Sequence, residues 1–178
     1  MKEINYLGIK NLCSKKFTVN LEFMKQKYFR SLNGIFGKVG LKTSPLVLIS
    51  LINSYCVPNL LYCAESFWWS KSMLNSCENA YALAFMKVFR SYDKKIIEQC
   101  QYYMGKLPLE LQIIQRQINF FANVNKSVHN NNCKLISINN DEYVNLCNTY
   151  KLSLTAGIFS KSRVKHELWS FFANKVSI

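Results

Sequence analysis

Hydrophobic positions along this chain change spacing several times, and each change marks an element. Ile4, Tyr6 and Gly8 alternate with Asn5, Leu7 and Ile9, the two-residue period and the β-branched and aromatic content of a strand. Phe17-Thr18-Val19 offers it a partner across the polar turn at Cys13-Ser14-Lys15-Lys16, a two-stranded hairpin at most and marginal alone. From about Asn20 to Val39 the period becomes helical. Leu21, Met24, Tyr28, Leu32, Ile35, Phe36 and Val39 share one face, Lys27, Arg30 and Lys38 point the opposite way, and Lys25 is on the border. Gly34 and Gly37 weaken the last turns, and Gly40 is a natural stop.

Ser44-Pro45 predicts a helix start, with Ser44 as N-cap and Pro45 in the first turn. Leu46 to Val57 is apolar almost all round, which predicts a helix central to the core. Pro58 ends or kinks it and launches the next, on which Leu61, Glu65 and Trp68 share a face beside Leu60, Ala64 and Phe67. Glu65 reads as an acid satisfying a core partner, and Trp68 and Trp69 as packing. A further helix is predicted over 72–90, with Leu74, Cys77, Tyr81, Ala84, Phe85 and Val88 inward and Lys87 and Arg90 suiting its C-terminal dipole. Residues 91–106 are mixed and polar, a boundary. Pro108 opens an amphipathic helix with Leu111, Ile114, Ile118, Phe121 and Ala122 in register and Gln112, Gln115, Arg116 and Asn119 opposite. After Lys126 the asparagine-rich stretch reads as a loop, and 141–150 and 161–176 as two more helices, the second with Val164, Leu168, Phe171 and Val176 inside.

Charge adds a partner class. The chain has 178 residues and a net charge of +13, which favours a polyanion, either nucleic acid or an anionic membrane surface. Residues 1–45 hold nine Lys or Arg against Glu3 and Glu22, so +7 of that excess. Lysines interleaved with Tyr6, Phe17, Tyr28 and Phe29 could touch phosphates and stack on bases, although core packing explains most of those rings singly. Seven cysteines stand singly, with no CxxC pair, and read as reduced thiols of an intracellular protein, nuclear or cytoplasmic. No residue between Lys42 and Glu65 is charged, but Asn53, Pro58, Asn59 and three serines interrupt the stretch and disfavour a membrane span.

The chemistry of turnover is thin. The aspartates are Asp93 and Asp141, in different segments, whereas two-metal phosphoryl transfer needs convergent carboxylates. Asp141-Glu142 would diverge on a helix and reads as a solvated or capping pair. There is no Gly-rich phosphate loop and no GxSxG, and His129 and His166 have no obvious acid partner. His129, Cys133 and Cys147 have poor spacing for a zinc site. The expectation is binding without catalysis: no catalytic residue, no metal, no cofactor and no small-molecule substrate.

The order of motifs goes further than any one of them. Tyr6-Leu7-Gly8-Ile9, then a basic amphipathic helix, then Pro58-Asn59-Leu60-Leu61-Tyr62-Cys63-Ala64-Glu65-Ser66-Phe67-Trp68, resembles reverse transcriptases of non-LTR (LINE-type) retrotransposons. In that family a YLG(I/V) strand closes the palm, a helical thumb follows, and a pattern close to P-x-L-L-Y-(G/A)-x-E-x-W comes downstream. Met73 to Arg90 resembles the family's next helix, and Leu107-Pro108 with Ile114, Arg116 and Phe120 resembles its LP…I…R…F segment. The likeness covers residues 4 to about 122. Cys63 stands where glycine is usual, and the last fifty or so residues match no motif of the family. The family's catalytic aspartates, with the (Y/F)xDD turn, lie upstream of the YLG strand. The resemblance therefore implies a catalytically inactive C-terminal fragment that keeps the thumb, which in the family grips the template–primer backbone.

These readings give a mainly α fold: a thumb-like helical bundle with a short N-terminal strand or hairpin and a C-terminal helical extension. The expected divisions are a residual palm edge over 1–19, a thumb-like helical domain over 20–105 and a helical connector over 106–178. The expected function is non-specific binding of RNA or an RNA–DNA duplex by its backbone, through Lys25, Lys27, Arg30 and Lys38. The rivals are a helical interaction or structural protein with no nucleic-acid role, and a small membrane-associated protein using residues 43–64.

Overall fold

A computed structural model describes residues 3–12, 18–40, 42–67, 69–130, 140–150 and 161–176, and of residues 11, 18, 125–130 and 140–143 the backbone only. The fold is mainly α, with a small antiparallel sheet at its start. The chain divides into two compact units, Met1–Glu110 and Leu111–Ile178. The sheet lies in the same unit as the first helices.

The sheet differs from the single strand read over Ile4 to Ile9. β1 (Glu3–Tyr6) turns back at Leu7-Gly8 into β2 (Ile9–Leu12), with Tyr6 paired to Ile9. Both turn residues have positive φ, 48° at Leu7 and 78° at Gly8, the backbone of a two-residue hairpin whose twist matches its strands. Leucine is strained there, so alternation by itself does not reveal the turn. β3 (Thr18–Val19) pairs with β2 rather than with β1.

α1 (Leu21–Val39) begins where Asn20 caps it, its Oδ1 accepting from the Phe23 amide at 3.3 Å. Asn20 also donates to Glu3 at 2.9 Å, and its amide reaches the Lys10 carbonyl at 2.8 Å, so one residue fastens the sheet to the helix. Met24, Tyr28 and Leu32 are the buried stripe; Ile35 and Phe36 are half-buried. α2 (Pro45–Leu51) begins without the side-chain cap expected of Ser44, whose carbonyl, not its hydroxyl, takes the Leu48 amide. Only one side of the following apolar run is buried: Leu48, Ile49, Ile52, Cys56 and Val57 go in, while Leu46, Val47 and Tyr55 stay exposed.

Pro58 neither ends the helix nor starts a long one. A π-helical turn, Ile52–Cys56, leads directly into the single turn α3 (Val57–Leu60). Proline has no amide hydrogen and its ring crowds the preceding turn, and a wider turn upstream absorbs both effects. Two side-chain amides also donate to backbone carbonyls one turn back: Asn53 to Ile49 O at 2.7 Å and Asn59 to Tyr55 O at 3.1 Å. Residues 61–67 are then turns, not helix, and Cys63 has φ +53°. A glycine would adopt that conformation without strain. Trp69 is buried and donates from Nε1 to Ala64 O at 2.8 Å; Trp68 lies outside the described residues.

α4 (Lys71–Phe89) is capped by Ser70 and buries Cys77, Ala80, Tyr81, Ala84 and Phe85. α5 (Lys94–Tyr103) occupies the stretch read as a polar boundary. Asp93 caps it at 2.9 Å through the Lys95 amide, and Ile97 and Gln101, one turn apart, are its buried side. α6 (Leu109–Asn130) opens with its Glu110 amide donating to Glu78 of α4 at 3.0 Å, a carboxylate at a helix N-terminus. It buries Leu111, Ile113, Ile114, Gln117, Ile118 and Phe121, and runs past Lys126 into the stretch expected as loop. α7 (Asn140–Thr149) and α8 (Lys161–Val176) take the expected positions, with Phe172 buried in α8 and Phe171 half-buried.

Tyr28 is wholly buried, and its hydroxyl has no hydrogen-bond partner among the described residues. A buried hydroxyl without a partner costs about 1–3 kcal/mol. Tyr28→Phe is therefore expected to stabilise the protein by about 1 kcal/mol. Burial, with smaller contributions from Cys56, Tyr81 and Glu78, holds this phenol well above its usual value. Since the folded-state value is the raised one, stability is lost as pH climbs past about 10, where the unfolded phenol ionises. The advantage of Tyr28→Phe should widen above that pH in urea titrations. An equal or lower stability of the variant at neutral pH would contradict the orphaned hydroxyl.

Candidate nucleic-acid interface

The four cations expected to bind do not act alike. Lys27, Arg30 and Lys38 are exposed on α1. From Lys27 to Lys38 the axis advances about 16 Å, the length of roughly five base pairs at about 3.4 Å each. Gly34 and Gly37 lie among them, both exposed, and a Cβ on either would meet nothing within 4 Å. The backbone is bare along that face, so a broad partner could approach it closely.

Lys25 is elsewhere. Five residues before Arg30, it projects from roughly the far side of the helix. Its ammonium pairs with Glu22 and donates to Ser76 of α4 at 3.1 Å, and only 18% of its side chain is exposed. It joins two helices, and its charge is already partnered. The helical period puts it on the border of the apolar face, away from Arg30, and the position of α4 there buries it.

Lys10 and Phe23, which the sequence reading did not single out, frame the other end of the face with Lys27. Lys10 from β2 and Lys27 both sit over the Phe23 ring, at 4.9 and 4.3 Å from its centre. Lys27 also approaches the Gly8 carbonyl at 3.5 Å, and the Tyr62 hydroxyl donates to Leu7 O at 2.9 Å. The hairpin tip is thus held by α1 on one side and by the turn after α3 on the other. Beneath it is a cleft of about 320 Å³ lined by Gly8, Ile9, Phe23, Met24, Lys27, Pro58, Asn59 and Tyr62. The residues that carry the motif order, Leu7-Gly8 and Pro58 to Tyr62, therefore meet in space.

Acids do little to cancel this face. Glu22 is taken by Lys25, and Glu3 lies 3.7 Å from Lys10 while accepting from Asn20. Glu65 is half-buried with Oε2 unpartnered among the described residues, so the core partner expected for it is not found there. Asp93 serves as the cap of α5, and the Asp141 side chain lies outside the described set. The described cysteines are free thiols. Burial pushes Cys56 and Cys77 up to about 11, so both are neutral and unreactive near pH 7. Among the described residues no group of His, Cys, Asp and Glu converges to hold a metal ion; the His129 side chain and Cys133 lie outside them. Nor is any described helix long and apolar enough to cross a membrane, and residues 43–64 are divided between α2, the π turn, α3 and turns.

Comparison with known proteins adds no relative. No family model matches the chain, and neither a curated protein nor a solved structure matches it.

Proposed function

We propose that this chain binds RNA or an RNA–DNA hybrid by its backbone, as a thumb-like helical module of the LINE reverse transcriptase type with no polymerase chemistry of its own. The observation that carries the reading is the α1 face, where Lys27, Arg30 and Lys38 are exposed while both acids of residues 1–45 are engaged elsewhere. The order of motifs supports the family, and the meeting of Leu7-Gly8 with Tyr62 gives that order a physical use: it braces one end of the cationic face. Three long cations on one helix suit phosphates rather than base edges, so the binding is indifferent to sequence.

Filter binding of a hybrid at rising salt tests this. Three phosphate contacts predict that log K falls with log salt at a slope of roughly −3. Absence of affinity at low salt, or affinity without a slope, overturns the proposal. A second reading, a helical interaction module with no nucleic-acid role, is favoured by the exposed Leu46, Val47 and Tyr55. On that reading, reversing the charges of α1 leaves the protein's activity unchanged.

A further inference from the structure

We propose that a second cleft, between the C-terminal halves of α1 and α4, takes one unpaired nucleotide, its phosphate on Lys87 and Arg90 and its base against Tyr92 and Phe36. This rests on the nucleic-acid reading above and extends it from duplex backbone to a single-stranded end. The cleft has a volume of about 410 Å³ and is lined by Asn33, Phe36, Met86, Lys87, Arg90 and Tyr92, within the size range of small-ligand sites. Among the described residues that line it are two cations and no acid.

The rings and the cations are already arranged together. Lys87 Nζ lies 5.7 Å from the centre of the Phe36 ring. Tyr92 is 85% exposed at the cleft's edge, so its ring contributes almost nothing to packing and is available as a stacking surface. Asn33 supplies an amide that can donate to or accept from a base edge. Arg90 follows the last turn of α4 in the left-handed region, at φ +53°. Glycine is the usual residue for such a helix end, and arginine accepts strain there to put a guanidinium beside the cleft.

Two negative contributions need weighing. The carbonyl end of α4 lies near and opposes an anion, which Lys87 and Arg90 offset. Asp93 follows Tyr92, but its carboxylate is turned to the Lys95 amide as the cap of α5. Asn33 and Phe36 flank the α1 face that holds Arg30 and Lys38, so a strand leaving a duplex on that face reaches the cleft without crossing the protein.

The test uses the full chain and three probes followed by fluorescence anisotropy: a blunt RNA–DNA hybrid, the same hybrid with a short single-stranded tail, and the tail oligonucleotide alone. Arg90→Gly relieves the positive φ and Tyr92→Ala removes an exposed ring, so both variants keep the fold. The expected result is a tailed hybrid bound roughly tenfold more tightly than the blunt one, with that increment lost in either variant and blunt binding retained. A tail that adds nothing, or variants that weaken both hybrids equally, overturns the cleft and leaves the duplex reading standing. Binding of the tail oligonucleotide without the blunt hybrid supports the cleft and overturns the duplex reading. No binding of any probe overturns both.

Discussion

Phe85→Ala is expected to destabilise the protein by about 3–5 kcal/mol, a large share of the stability of an ordinary domain. Phe85 is wholly buried in α4, with its ring edge-on to Tyr81 at 5.1 Å and stacked towards Phe89 at 6.3 Å. Tyr81 is itself wholly buried and reaches across to Asn53 Oδ1 of the π turn at 3.5 Å. Removing the ring leaves a cavity beside Tyr81, whose own hydroxyl is tied to the π turn and which is therefore not free to collapse into it. Chemical denaturation followed by near-ultraviolet circular dichroism should show a lower midpoint with an unchanged slope. A loss below about 1 kcal/mol would mean that the site is not the packed centre described.

Replacing Lys27, Arg30 and Lys38 together by glutamine is expected to weaken hybrid binding a few hundredfold near one-tenth molar salt. Each lost phosphate contact removes about 0.9 from the slope of log K against log salt, and at that salt about as many log units of affinity. The side chains are exposed, so stability should change by no more than about 0.5 kcal/mol for each. Lys25→Gln is the internal control, because that ammonium is partnered by Glu22 and Ser76 and turned away from the face. It should leave hybrid affinity nearly unchanged. If Lys25→Gln costs as much as the other three together, the binding surface is not the one assigned, and the effect comes from general charge or from α1 itself.

Much of the architecture was legible because it depends on local period. The 3.6-residue spacing from Met24 through Tyr28 to Leu32 marks α1 and its buried stripe, and Asn20 and Gly40 lie at its two ends. The Ile114–Ile118–Phe121 spacing does the same for α6. Where local signals are weak or conflicting, structure and sequence pattern part. α5 was missed because only Ile97 and Gln101 of its ten residues are buried, so most of its sequence looks like a solvated loop. The hairpin was read as one strand because Leu7 holds a turn conformation that its side chain disfavours. Pro58 gives a break on the proline rule because the π turn just upstream, which lets the helix run through it, is invisible to a rule that considers proline alone.

By itself the sequence determined that the chain is mainly helical, where most helices lie, and that its charge is concentrated in residues 1–45. Each follows from neighbours within a turn or two, or from composition. Only the tertiary structure decided which cations are available. A helical wheel puts Lys25 on the border and Lys27 on the polar face, but it is the packing of α4 that consumes the first and the hairpin that takes the second beside it. Only the tertiary structure joined Leu7 to Tyr62 across 55 residues and drew Lys87, Arg90 and Tyr92 towards Asn33 and Phe36. Those meetings are made by the burial of Tyr28, Leu32, Tyr81 and Phe85 in one core, and a free energy shared among distant side chains leaves no mark in the spacing of any one of them.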